Sequence, residues 1–420
     1  MSLNADLRHV IHALSDALDL VGVDDVAHGK RVGIMAAACA RVAGLPDDEA
    51  DFLFDLGLLH DIGVSSTRTH THLVQLFDWE GSQVHCQVGE ALLAGFPPLA
   101  AMAQPVRYHH TRWEDLRSPG GAQHVAPQVA RQANLIFLVD RVDALSAPHH
   151  ADNTLLDATA DIRSTIAGHS GSYFDPDWVA VFLEASRTEA FWLSLEPRAV
   201  QACLLERRDR SCTWPASVVE LRQLASIFAR IVDAKSPFTA EHSLGVSRLA
   251  RYLAERLQVS PENCDKLEIA GLLHDLGKLR VPDEILDKPS ALDERERRII
   301  NTHSFETFQI LRNIDGFEAE IAPWAAWHHE EPGGNGYPFH LEGSVLPLEA
   351  RILRVADIFQ AMVQERPYRQ GLGVAQVSGF IEALVRQGRI EGRVAGVLLD
   401  NVVEAMSVAR PVFQDVARIF

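Results

Sequence analysis

The chain has little that would tie it to a membrane, a nucleic-acid polymer or an oxidising compartment. Across 420 residues there is no run long and apolar enough to span a bilayer and no secretory leader. Lysine and arginine are outnumbered by aspartate and glutamate, 39 to 57, and the formal net charge of −18 opposes broad binding to nucleic acid or to anionic lipid. A local basic pocket for a small phosphate ligand stays compatible with that balance. The five cysteines (Cys39, Cys86, Cys203, Cys212, Cys264) form no C-x-x-C pair and no tight cluster, as suits a reducing compartment. Cytoplasmic is therefore the expected location. Strand-like alternation and low-complexity tracts are nearly absent.

Helical spacing is abundant. In "HGKRVGIMAAACARVAG" and "HSLGVSRLARYLAERLQ" the apolar residues return every three to four positions. "GLPDDEADF" and "VSPENCDKLEIA" each set a proline and then acids ahead of an apolar run, as a helix start prefers. With 47% hydrophobic residues the chain can bury two ordinary cores. The expected class is all-α. "LLERRDRSCTWPASVVELRQL" passes from a charged run into a new helical period, which places a domain boundary near Ser211, with domains 1–211 and 212–420.

The chain says nearly the same thing twice. "LLHDIGVSS" begins at Leu58 and "LLHDLGKLR" at Leu272. Around them run two series in one order: His28, His60, Asp61, His85, His109, His110 and Asp140, then His242, His274, Asp275, His303, His328, His329 and Asp357. The first gap is 32 residues in both, and the later gaps differ by no more than four. This is an internal duplication of about 200 residues. A lone helical histidine is usually a packed or surface residue. Seven matched residues, twice, point instead to metal, because a buried His-Asp pair needs a partner for both side chains. Imidazole mixed with carboxylate suits iron, manganese or zinc, and an aspartate can bridge two such ions. The lack of thiolate ligands argues for an open centre that does chemistry.

With those residues on the page, the sequence resembles the HD superfamily of metal-dependent phosphohydrolases, and residues 213 to about 375 resemble its HD-GYP branch through "HDLGK", "HHEEPGGNGYP", "VADIF" and "RPYR". The resemblance implies tandem helical-bundle HD domains and hydrolysis of a cyclic dinucleotide to a linear dinucleotide or mononucleotide. Cyclic di-GMP is the favoured substrate, with 3'3'-cyclic GMP-AMP the alternative. It implies two divalent transition-metal ions, iron or manganese favoured, at His242, His274, Asp275, His303, His328, His329 and Asp357. Asp275 and Lys278 would be catalytic, and Arg366, Arg369 and Tyr337 would hold substrate. The partners implied are the cyclic dinucleotide and a second copy or another signalling protein.

The departures shape the expectation. Phe238 stands where a third-metal glutamate would be, and Ser236, Gly333 and Gln360 replace aspartates common in the family. The first copy keeps every ligand type and adds Asp24 four residues before His28, so metal is expected there too. It lacks "GYP", has Val64 for Lys278, and has His149 and Asp152 for Arg366 and Arg369. The second copy is thus expected to catalyse and the first to regulate, scaffold or serve a different ligand. Two other readings remain open: an adaptor that binds metal or nucleotide without turnover, and a phosphohydrolase of nucleotide monophosphates working at the first site.

Overall fold

The structure is a computed structural model that describes residues 5–22, 27–118, 125–152, 154–210, 214–236, 242–364 and 371–410. Among them there are helices and isolated bridges but no strand ladder. No described helix is long and apolar enough to cross a membrane. The fold is all-α.

Two compact units result, one of Leu18–Cys212 and one of Thr213–Arg418 joined by Met1–Ala17. The opening segment thus differs from the expected 1–211 grouping. Hydrogen bonding explains it: the Leu7 N–H donates to the Trp214 carbonyl at 2.8 Å and the Ala216 N–H to the Ala5 carbonyl at 2.9 Å. No signal in the sequence marks that long-range pairing.

Each unit uses the same scaffold. In the first, helix His28–Val42 packs chiefly on Asp47–Leu59 and also on the long helix Pro127–Ala151. In the second, His242–Arg256 packs on Pro261–Leu273 and on Leu348–Val363. The helix starts follow local chemistry. Pro46 precedes Asp47, Asp48 and Glu49 in the first turn of its helix, where carboxylates meet the positive end of the dipole. Ser260 caps the next copy through the Asn263 N–H, with Pro261 at the first helical position. Ser217 with Glu220, and Asp293 with Glu296, close reciprocal capping boxes. Phe54, Phe137, Phe228 and Phe359 lie fully inside the two cores. Packed helices of this kind hold polar groups rigidly wherever their ends meet.

Candidate metal centres

In the second unit five chain segments converge. His242 opens its helix, His274 closes Pro261–Leu273 with Asp275 directly after it, and His303 projects from Glu294–Leu311. His328 and His329 sit in the 3-10 turn Trp327–His329, and Asp357 comes from Leu348–Val363. Donor atoms gather in overlapping groups: His242, His274 and Asp357; His303, His328 and His329; and His274, Asp275 and His328, each within 4.8 Å. Asp275 lies between them. Its Oδ2 is 3.3 Å from His274 Nε2 and its Oδ1 is 3.5 Å from His303 Nε2 and 3.8 Å from His328 Nε2. One carboxylate therefore offers an oxygen to each side, as a bridge between two ions requires.

The imidazoles are aimed by the helices that carry them. Nδ1 of His274, His303 and His328 lies 2.7, 2.7 and 2.6 Å from the carbonyls of Gly271, Ile300 and Ala325, three residues earlier in each case. A carbonyl can only accept, so Nδ1 carries the proton and Nε2 presents its lone pair inward. Burial pushes His303 down to about 4 and holds His328 and His329 well below the ordinary histidine range, which keeps these rings neutral. Burial would raise Asp275, but the neighbouring His274 and Lys278 outweigh it and hold the carboxyl well below its usual range. Lys278, in the turn Leu276–Arg280, pairs with Asp275 Oδ2. Two buried atoms, His274 Nε2 and Asp275 Oδ1, have no hydrogen-bond partner. Orphaned polar atoms at this depth are costly, and divalent cations between the two triads would satisfy both. The donor set fits metal.

The first unit repeats the arrangement. Asp61, His85, His109 and His110 form one group and His28, His60 and Asp140 the other. Asp61 again faces both, with Oδ1 3.2 Å from His85 Nε2 and Oδ2 3.6 Å from His60 Nε2. Asp61 Oδ1 and His85 Nδ1 are buried without hydrogen-bond partners. Val64 is buried where the second unit has Lys278. The Asp61 side chain is 17% exposed against 3% for Asp275, and it opens on a small pocket lined in part by His28, His60, Val64 and His70.

Several contributors were not apparent from the sequence. Asp143 accepts from Arg31 Nε at 2.6 Å and lies 2.8 Å from His28 Nδ1, orienting that ring. Arg141 donates to Asp140 at 2.8 Å. Cys86 replaces Ser304 beside the third histidine, and its Sγ is 3.7 Å from His85 Nε2 and 3.6 Å from His109 Nδ1. Burial would raise its thiol, but His109 and His85 bring it down to about 6. The spacing of Asp143 behind Asp140 in "VDRVD" was the available signal. In the second unit the missed residues are Glu330, Glu331 and Arg354, adjoining the His pair and Asp357. Asp24, Phe238, Arg366 and Arg369 lie outside the described residues. His149 instead hydrogen-bonds Thr154, Asp152 is exposed, and Ser236 donates to Asp287.

Comparison with known proteins places this geometry. The HD domain family pattern matches residues 226–394. A 3'3'-cGAMP-specific phosphodiesterase of Vibrio cholerae is 36% identical over 404 residues, spanning 95% of this chain and 92% of its own length. The chain belongs to the HD superfamily of metal-dependent phosphohydrolases, with an HD-GYP-type second domain. Among other HD-superfamily proteins, a cyclic di-GMP phosphodiesterase response regulator of Xanthomonas campestris is 33% identical over 170 residues, 40% of this chain and 44% of that one. A solved cyclic GMP-AMP specific phosphodiesterase of Vibrio cholerae shares the fold at TM-score 0.64 and 23% identity, covering 95% of this chain and 98% of the other.

Proposed function

We propose that this HD-superfamily protein is a cyclic-dinucleotide phosphodiesterase whose second unit hydrolyses 3'3'-cyclic GMP-AMP to a linear dinucleotide. The observation that carries the reaction type is Asp275 set between two imidazole groups with Lys278 beside it. Base preference is supported by extent: the relative named for 3'3'-cGAMP aligns across both units, whereas the Xanthomonas relative named for cyclic di-GMP aligns over 40% of the chain. Cyclic di-GMP is the second reading, since the relative named for it is 33% identical over 170 residues.

We assign two divalent ions, iron or manganese, to His242, His274, Asp275, His303, His328, His329 and Asp357, and further metal to the matching residues of the first unit. When bound, the ions supply Lewis-acid polarisation of the scissile phosphoryl group and acidify a water nucleophile. The protein does the rest. The backbone carbonyls behind Nδ1 keep three imidazoles aimed, burial keeps those of His303 and His328 neutral, and Asp275, which raises His274, sets the spacing of the two halves of the site. Lys278 offers a positive charge beside that carboxylate for the phosphoryl oxygens as negative charge develops. Arg366 and Arg369 are assigned to the second phosphodiester, which the metals leave without a counter-charge.

The test is metal analysis of anaerobically purified protein followed by chromatography of the products formed from each cyclic dinucleotide. Metal-loaded protein should convert 3'3'-cyclic GMP-AMP with the higher kcat/KM. A preference for cyclic di-GMP would establish the second reading, and metal-loaded protein that turns over neither would make the chain a binding adaptor.

A further inference from the structure

The two units hold the second histidine of their adjacent pair by different means. In the first, His110 lies edge-on to Phe137, ring centroids 5.4 Å apart, and Phe137 sits three residues before the ligand Asp140 on one helix. The same position in the second unit, three residues before Asp357, is Arg354. Its guanidinium turns to other work, donating to Glu331 Oε1 at 2.8 Å and to the carbonyls of Arg389 and His328 at 3.0 and 3.4 Å. His329 therefore gets no aromatic neighbour from that helix position. It is stacked instead by Tyr337, with centroids 4.6 Å apart and planes inclined by 22°.

Tyr337 belongs to the Gly336-Tyr337-Pro338 turn, and that turn is strapped back onto the residues following the histidines. Glu330, 1% exposed, accepts from two backbone N–H groups, Phe339 at 2.7 Å and Leu341 at 2.9 Å. The Tyr337 N–H reaches the His329 carbonyl at 3.3 Å. Gly336 lies so close that a Cβ there would fall 2.4 Å from Glu330 Cα and 2.6 Å from the His329 carbonyl oxygen. In the first unit the His pair is followed by Thr111 and Arg112, and Arg112 pairs with Asp78. That unit has Phe137 and does not need the strap.

We propose that Tyr337 is a positioning residue of the metal centre: its ring face, held in place by Glu330, orients the His329 imidazole, the task Phe137 performs for His110. This rests on the reading of His329 as a metal ligand, and it replaces the substrate contact that family resemblance implies for Tyr337. A ligand ring whose face is fixed keeps its lone pair on the ion, and losing such outer support weakens metal binding.

The experiment titrates Mn²⁺ against a competing chelator in the full chain carrying His60→Ala and Asp61→Ala, so that the second centre reports. Tyr337→Leu should weaken Mn²⁺ binding roughly 10–100-fold, as loss of outer support does elsewhere. Tyr337→Phe keeps the ring face and should rescue the affinity. Glu330→Gln exchanges one carboxylate oxygen for an N–H group facing an N–H donor, so it should weaken binding with His329 and Tyr337 untouched. Metal-free unfolding midpoints separate these effects from loss of fold, and Glu330→Gln decides the matter if Tyr337→Leu does not fold. Wild-type affinity in Tyr337→Leu or Glu330→Gln overturns the inference, as does an equal loss in Tyr337→Phe, which would put the role on the hydroxyl. A parent chain that takes up no Mn²⁺ overturns the metal-centre reading as well.

Discussion

Asp275 is the residue on which the site turns. Asp275→Asn removes the charge that faces both imidazole groups and puts an amide donor among inward-facing lone pairs. Metal content and turnover should both fall, with the loss in affinity exceeding the roughly 10–100-fold typical of groups that only support a ligand. Elemental analysis and steady-state rates check it, and unchanged values in both would remove the bridge from the argument. Lys278 acts differently. Burial would lower its ammonium, but Asp275 and Asp357 outweigh it and raise it, so it stays charged. Lys278→Ala should depress kcat with metal retained, because its charge counts most as the transition state develops. Arg366→Ala should instead raise KM, at a cost of about 1.5–3 kcal/mol for a lost hydrogen bond to a charged group. Kinetics of the two variants, measured with metal content, test that division. Asp275 was marked in the sequence by its recurrence as Asp61 in the other copy, whereas Lys278 and Arg366 stand in one copy only and were named through the family motifs. The tyrosine's place against His329 was not legible there, since stacking depends on a turn folding back.

At the level of elements, the glycine two residues after each His-Asp pair allows a close backbone approach in both copies. A Cβ on Gly277 would fall 2.1 Å from the His303 carbonyl oxygen, and one on Gly63 would fall 2.0 Å from that of His85. In each unit the turn carrying Asp275 or Asp61 therefore presses backbone to backbone on the helix carrying the third histidine. Gly277→Ala must push the two apart, which separates Asp275 from His303. Overpacking of this kind costs about 1–3 kcal/mol, so the unfolding midpoint should drop and metal affinity should fall with it. Gly63→Ala should do the same to the first centre while leaving the second centre's turnover in place. Thermal unfolding and metal titration of both variants check this. An alanine tolerated at either position with full metal binding would show that the turn can shift without cost to the site.

For the molecule as a whole, the proposed function has the duplication separate holding metal from doing chemistry. Both units retain an aspartate between two histidine groups, but Lys278 and the strapped turn belong to the second alone, while the first has Val64, Phe137 and a cavity opening on Asp61. His60→Ala with Asp61→Ala in the full chain should thus reduce the metal bound per chain and leave hydrolysis of the cyclic dinucleotide at the second unit. Metal stoichiometry and product chromatography on that variant decide it. Lost hydrolysis with the second centre still loaded would mean that the first unit is required for catalysis.

The sequence by itself determined the helical class, the duplication and two matched His/Asp series, because helical periodicity is a local property and a repeated order of residues can be counted along the chain. Only the tertiary structure decided that the first seventeen residues join the second unit, that Asp143 and Arg31 stand behind His28, and that Tyr337 does for His329 what Phe137 does for His110. The reason is the same in each case. These contacts are made between segments far apart in the chain or by loops turning back on themselves, and neither residue type nor spacing encodes which of several nearby side chains reaches the partner first.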